Sequence, residues 1–334
     1  MTSRSRSPLP PPPPPLPPPT LATQALKTQT WLWRGLPIAY QAQGETGPAL
    51  VLVHGFGASL GHWRKNLPVL AATCRVYAID LLGFGGSAKP KPQGEVSYTF
   101  ETWAAQLADF CQQVVGGPAF FVGNSIGCVA VMQTAVSAPA WVRGVVLLNC
   151  SLRLLHDRKR ANLPWVQRWG APLLQRLFTS RWLGQLFFRQ FARPATVRKI
   201  LRQAYGNTDA VTDELVELLM APAQDPGAVD VFLAFTRYSQ GPLPEDLLPL
   251  LTCPALILWG AQDPWEPIAL GRQLAEFPAV QQFIELPDAG HCPQDEIPEV
   301  VNALIQDWVH TQAHDPSSGD HKSRSQVDHK SDLG

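Results

Sequence analysis

The chain has no surplus of either charge: its 27 Lys and Arg are matched by 27 Asp and Glu. Without a basic excess there is no electrostatic footprint for a phosphate backbone, so nucleic acid is not an expected partner. Long apolar runs are absent too. None reaches the roughly 18 to 20 residues that cross a bilayer, and no apolar stretch follows the first basic residues as a secretory signal requires. The six cysteines, Cys74, Cys111, Cys128, Cys150, Cys253 and Cys292, lie apart in apolar segments without C-x-x-C spacing. That argues against a thiolate metal or redox site and reads as buried, reduced thiols of an intracellular protein, cytoplasmic or peripherally attached to a membrane. No acid precedes Glu45. A basic, acid-free N-terminus would suit a plastid transit segment, but its proline run is unlike a targeting helix. Residues 1–29, with Pro10 to Pro15 and three more prolines after Leu16, read as a disordered polyproline tail that builds no core. Residues 312–334, rich in Ser, Asp, His and Lys, read as a second tail, with His314, His321 and His329 solvated.

Between the tails, regular elements follow one another. Trp31 to Tyr40 alternates bulky residues around Gly35 and reads as a hairpin. Short apolar strands are expected at Ala49–Val53, Cys74–Ile79, Phe120–Gly123, Val142–Asn149, Ala255–Trp259 and Gln282–Leu286. Helical spacing is expected over Gly61–Ala72, Phe100–Val115, Cys128–Val136, Ile268–Phe277 and Ile297–Val309. Buried strands alternating with helices imply an α/β domain, a mostly parallel sheet with helices on both faces. That core comprises residues 30–150 and 251–311, and residues 151–250 form an inserted helical cap.

In such a sheet the chemistry sits just beyond the carboxyl ends of the strands. There, Phe120-Phe121-Val122 runs into Gly123-Asn124-Ser125-Ile126-Gly127 and then a helix, the pattern of a nucleophile elbow. Alone, Gly-x-Ser-x-Gly is also compatible with a serine capping a helix. Three other strand ends decide the matter. His54-Gly55-Phe56-Gly57 follows one strand, Asp263 another and His291 a third. The order Ser125, Asp263, His291 is that of one triad architecture. A serine hydroxyl needs a base to take its proton, and an imidazole needs a carboxylate to fix its tautomer. The backbone amides of Phe56 and Ile126 would form the oxyanion hole, and His54 is read as a structural loop histidine. No metal or organic cofactor is required.

These motifs, with Asp80-Leu81-Leu82-Gly83-Phe84-Gly85-Gly86-Ser87, resemble the α/β-hydrolase superfamily, which implies its fold over residues 30 to 310. A serine at position 125 sets the chain apart from superfamily members that open epoxides or remove halide with an aspartate. Asn149 is not acidic, so Asp263 is the preferred acid over Asp80, Asp288, Asp295 and Glu296, and Asp80 is read as a turn and packing residue. The elbow together with Gly290-His291-Cys292-Pro293-Gln294-Asp295-Glu296-Ile297-Pro298-Glu299 is similar to the pheophytinase and chlorophyll dephytylase group. Cys128 and Gln294 depart from that group's pattern. The resemblance implies a carboxylic ester hydrolase acting on a small hydrophobic ester, such as a long phytyl-type ester of a chlorophyll pigment. The alternatives are a carbon–carbon bond hydrolase or a perhydrolase on the same triad, or a non-catalytic binding protein that uses the pocket.

The insertion is lopsided. From Ser151 to Tyr205 about a dozen Lys and Arg accompany Trp165, Trp169, Phe178, Trp182, Phe187, Phe188 and Phe191. Such a stretch suits peripheral membrane contact or an apolar substrate entrance, with Trp165, Trp169 and Trp182 as candidate substrate contacts. From Asn207 to Asp246 acids dominate, and the two halves could equally pair with each other. Oligomeric state is not legible.

Overall fold

The computed structural model describes residues 26–92, 96–154, 156–160 and 181–314. The chain opens with strands β1 (Gln29–Trp33) and β2 (Leu36–Gln43), an antiparallel hairpin. Its turn residues Arg34 and Gly35 both have positive φ, 50° and 79°, the signature of the two-residue turn that matches strand twist. Six further strands follow: β3 (Ala49–Val53), β4 (Arg75–Ile79), β5 (Ala119–Asn124), β6 (Val142–Leu148), β7 (Ala255–Gly260) and β8 (Val280–Leu286). The sheet runs β1-β2-β4-β3-β5-β6-β7-β8. After the antiparallel β1–β2 and β2–β4 pairs, all remaining pairs are parallel.

Alternation along the strands assigns each side chain to a face. On β3, Val51 and Val53 join one apolar cluster, and Leu50 and Leu52 the other. The first cluster is covered by α1 (Phe100–Phe110) and α2 (Ile126–Ser137), which contribute Trp103, Leu107, Val129 and Met132. Between β6 and β7 lie α3 (Arg181–Phe191), α4 (Pro194–Ala204), α5 (Asp213–Met220) and α6 (Ala228–Arg237). The second sheet face is covered by α7 (Pro298–His314) through Val301, Ile305 and Trp308. The result is an α/β-hydrolase fold, a mostly parallel sheet between helical layers.

The β6–β7 insertion has its own small core, in which Leu201, Tyr205, Leu215 and Val216 pack with Cys292, the neighbour of His291. Its basic and acidic residues meet: Arg198 pairs with Asp213 at 2.5 Å, Lys159 with Glu245 at 2.6 Å, and Arg158 with Asp246. Among the described residues no helix is long and apolar enough to cross a membrane.

Several expected elements are cut differently. The single helix expected over Gly61–Ala72 is a 3₁₀ turn, Leu60–Trp63, followed by a short helix, Leu67–Leu70. Pro68 supplies no N–H to an earlier carbonyl, so the second piece starts afresh. Ile268–Phe277 likewise divides into Ile268–Gly271 and the 3₁₀ segment Arg272–Glu276. At the ends, β1 begins at Gln29 and α7 continues to His314. His314 therefore belongs to the last helical turn rather than to a tail beginning at 312, and its Nδ1 lies 2.8 Å from the His310 carbonyl.

Candidate active site

Ser125 stands where β5 turns into α2, with φ 56° and ψ −120°, a backbone state that side chains rarely adopt. The surroundings force it. The Ser125 amide donates to Leu148 O at 3.0 Å, and its carbonyl accepts from Cys128 N and Ser151 N at 3.1 and 3.2 Å. The flanking glycines are needed for close approach: a Cβ on Gly123 would lie 2.6 Å from Cys128 N, and one on Gly127 2.5 Å from Val53 O. Nothing larger fits between the elbow and β3.

The loop after β3 closes on the same point. A Cβ built on Gly55 would be 3.2 Å from Ser125 Cβ, so this backbone lies directly against the serine. Beside it, the amides of Phe56 and Ile126 have no hydrogen-bond acceptor among the described residues. His54 is fully buried, with Nδ1 2.8 Å from Gly55 O and Nε2 accepting from Leu81 N at 3.1 Å. Burial lowers its pKa to about 4, so it is a neutral brace for the loop. Asp80 accepts from Leu60 N at 2.6 Å and Gly86 N at 2.7 Å. It ties two loops together, and burial lifts its pKa to about 7.

Asp263 and His291 meet beyond β7 and β8. With its proton on Nδ1, His291 donates to Asp263 Oδ2 at 2.7 Å. The same oxygen accepts from Asn149 Nδ2 at 2.8 Å, and Oδ1 accepts from Trp265 N and Glu266 N at 2.8 and 3.1 Å. Engaging Nδ1 leaves Nε2 as the remaining basic atom of the ring. Among the described residues no hydrogen bond joins Ser125 Oγ to His291. The two are neighbours through Asn124, whose side-chain amide donates to His291 O at 3.0 Å. Catalytic contacts of this kind are often open before substrate binds.

The histidine loop is fixed from two sides. The His291 amide donates to Ala204 O, at the end of α4, at 2.8 Å. The Glu296 carboxylate accepts from Gly290 N and Cys292 N on one side and from Gly206 N and Asn207 N on the other, at 2.7 to 3.1 Å. Burial raises the pKa of Glu296, and these amides pull it back. Glu296 thus clips the histidine loop to the insertion. A second carboxylate, Glu266, lies buried behind Asp263, accepting from Leu152 N at 3.1 Å. Burial, set against that bond, takes its pKa to about 7.

Asn124, Asn149, Glu266 and Glu296 thus carry structural work that the sequence reading did not assign. The signal for Asn149 is its position just after β6, at a strand end, where its amide bridges Asp263 Oδ2 and Gly260 N. Of the expected substrate contacts, Trp165 and Trp169 lie outside the described residues. Trp182 falls on α3, but its side chain is outside them. An aromatic cluster gathers around Phe56, built with Phe84, Phe232 and Phe235. Phe56 stacks on Phe235 with centroids 5.0 Å apart and meets Phe84 edge-on at 5.7 Å.

Residues 50–304 match the alpha/beta hydrolase family, and the chain belongs to it. It is a hydrolase of the α/β superfamily. It is 26% identical over 297 residues to the chloroplastic pheophytinase of Arabidopsis thaliana, an alignment covering 78% of this chain and 61% of that protein. An uncharacterized hydrolase of Bacillus subtilis, YugF, is 27% identical over 277 residues, covering 82% of this chain and 95% of the relative. Among solved structures, a thermophilic esterase from Thermogutta terrifontis superposes with a TM-score of 0.67 at 22% identity, covering 86% of this chain and 99% of the other. That likeness is one of fold.

Proposed function

We propose that the protein is a serine hydrolase that cleaves a carboxylic ester, with Ser125 as nucleophile, His291 as general base and acid, and Asp263 as the residue that orients the imidazole. The observation that carries this reading is the 2.7 Å bond from His291 Nδ1 to Asp263 beside a serine held at positive φ. Ser125 Oγ adds to the ester carbonyl while its proton passes to His291 Nε2. The negative oxygen is met by the amides of Phe56 and Ile126. The tetrahedral adduct collapses, the carbon–oxygen bond to the alcohol breaks, and the departing alkoxide takes the proton from Nε2. Water then repeats the sequence on the acyl enzyme, releasing the acid and restoring Ser125.

The insertion acts in this reading as a cap that supplies an apolar roof, and an apolar roof favours a hydrophobic ester over a charged one. Likeness to a pheophytinase makes phytyl esters of chlorophyll pigments the first natural substrates to try. Ser125→Ala is expected to lose on the order of a thousandfold or more in p-nitrophenyl ester hydrolysis while folding normally. Near-normal turnover would refute the nucleophile assignment. Incubation with chlorophyll a and pheophytin a tests the pigment substrates, and no phytol release under conditions that cleave simple esters would remove them.

A further inference from the structure

The strand order puts the Phe56 loop and the acid and histidine loops on opposite flanks of the elbow, because β3 adjoins β5 on one side and β6, β7 and β8 follow on the other. Each flank presents an aromatic surface. On the acid side Trp265 is 42% exposed, yet its ring stands edge-on to His291 at a centroid distance of 5.0 Å. Its backbone amide is held by Asp263, so it is placed by the carboxylate that places the imidazole. On the other side an apolar cavity of about 80 Å³ opens beside Phe56, lined by Phe84, Leu219, Val231 and Phe232, with Lys89 as its charged member. Lys89 is occupied by Asp225 at 2.8 Å and by Gly85 O at 2.5 Å, so among the described lining residues no free cation is left to neutralise an anionic acyl group.

We propose that Trp265 and the Phe56 cavity divide the ester between them, the alcohol part lying on Trp265 and the acyl part entering the cavity, so that favoured substrates join a bulky apolar alcohol to a short apolar acid. The proposal rests on Ser125 being the nucleophile. The proton that frees the alcohol comes from His291, so the alcohol oxygen must lie against that ring, and among the described residues Trp265 is the exposed apolar surface there. The carbonyl oxygen faces the amides of Phe56 and Ile126. The remaining substituent of the carbonyl carbon, the acyl chain, is left the Phe56 flank. A water needs about 10 to 15 Å³ on the same probe measure, so the cavity takes several such groups, the bulk of a short acyl chain. An isoprenoid alcohol fits this division, and a macrocyclic acid would stay outside the cavity.

The test uses the full chain and two ester series: p-nitrophenyl acetate, butyrate and octanoate vary the acid, and methyl, benzyl and farnesyl butyrate vary the alcohol. Wild type should prefer butyrate to octanoate and farnesyl to methyl in kcat/KM. Trp265→Ala should reduce the farnesyl-to-methyl preference about tenfold or more and leave the acyl ranking in place, and Trp265→Phe should keep much of that preference. Ala223→Leu, which adds bulk to the cavity wall, should shift the acyl preference toward acetate and leave the alcohol ranking alone. Labelling of Ser125 by a fluorophosphonate probe in each variant separates the two levels. Absence of label in wild type removes the nucleophile reading, whereas full labelling with both rankings unmoved, or with Trp265→Ala altering the acyl ranking instead, overturns the division.

Discussion

Glu296→Gln keeps the size of the side chain but turns one of its two acceptor oxygens into a donor. Oε1 serves the amides of Gly290 and Cys292, and Oε2 those of Gly206, Asn207 and Gly290. Whichever way the new amide turns, its NH₂ faces backbone donors that have lost their partner. Asn207 is exposed and water can reach it, whereas Gly290 and Cys292 are buried. The preferred rotamer keeps oxygen toward the buried pair, and the loss is then about 1 to 3 kcal/mol, the range for one poorly compensated group. Glu296→Ala strands the buried pair as well and should cost about 3 to 5 kcal/mol. Urea titration measures both losses as midpoint shifts at constant slope. Activity reports the second consequence. Displacing His291 by even a fraction of an ångström weakens proton transfer, so kcat for a small ester should fall about tenfold or more at little-changed KM. A Glu296→Gln protein with wild-type kcat and a stability within about 0.5 kcal/mol of wild type would refute the clip.

Glu266 gives a pH prediction. Unfolded, a glutamate releases its proton near 4.5, whereas the folded chain holds it to about 7. Across that window the folded state binds more protons, so this group makes stability fall as pH rises, levelling off above 7, by about 3 kcal/mol at most. Glu266→Gln should remove that slope, and its stability relative to wild type should rise between pH 4.5 and 8 in urea titrations; a constant difference would show that the carboxyl is not held protonated. Asn149→Leu removes both the donor to Asp263 Oδ2 and the acceptor for Gly260 N, and puts a bulky side chain at φ 43°; it should lower kcat for a small ester on the order of tenfold and lower stability in urea titrations by about 1.5 to 3 kcal/mol or more, the worth of a bond to a charged group. Gly127→Ala places a Cβ 2.5 Å from Val53 O. It should destabilise the fold by about 1 to 3 kcal/mol, readable as a lowered melting temperature.

The strands and the elbow were legible because their signals are local. Short unbroken apolar runs between turn-formers mark β3 and β5, and only glycines could flank a serine in so tight a turn. Positions 263 and 291 were legible through the rule that parallel sheets carry chemistry at strand ends. What brings them together is not local: Asn149, Asn124 and Glu296 act across separations of 114, 167 and 90 residues, respectively. No periodicity encodes such pairings. The broken helix at Leu60–Leu70 shows the same limit, because apolar spacing ran on through Pro68 and only the backbone's missing donor cut it. For the insertion, charge was readable but the pairing was not: that Arg198 meets Asp213, fifteen residues on, is written in no periodicity.

The hydrogen bond from the His291 amide to Ala204 makes the last turn of α4 part of the histidine's seat. In a fold of this design the parts of the insertion have unequal freedom to diverge. Residues from Tyr205 to Asn207 are bound to the His291 loop through Glu296 and will tolerate little change. Among the described residues just after β6, Leu152 donates to Glu266 beside the acid loop rather than to the histidine loop. Chimeras that exchange Arg181–Phe191 between relatives should therefore alter what is admitted, through Phe188 in the cavity wall, while leaving turnover chemistry intact, and this helix is a natural place to graft a new substrate preference onto the scaffold.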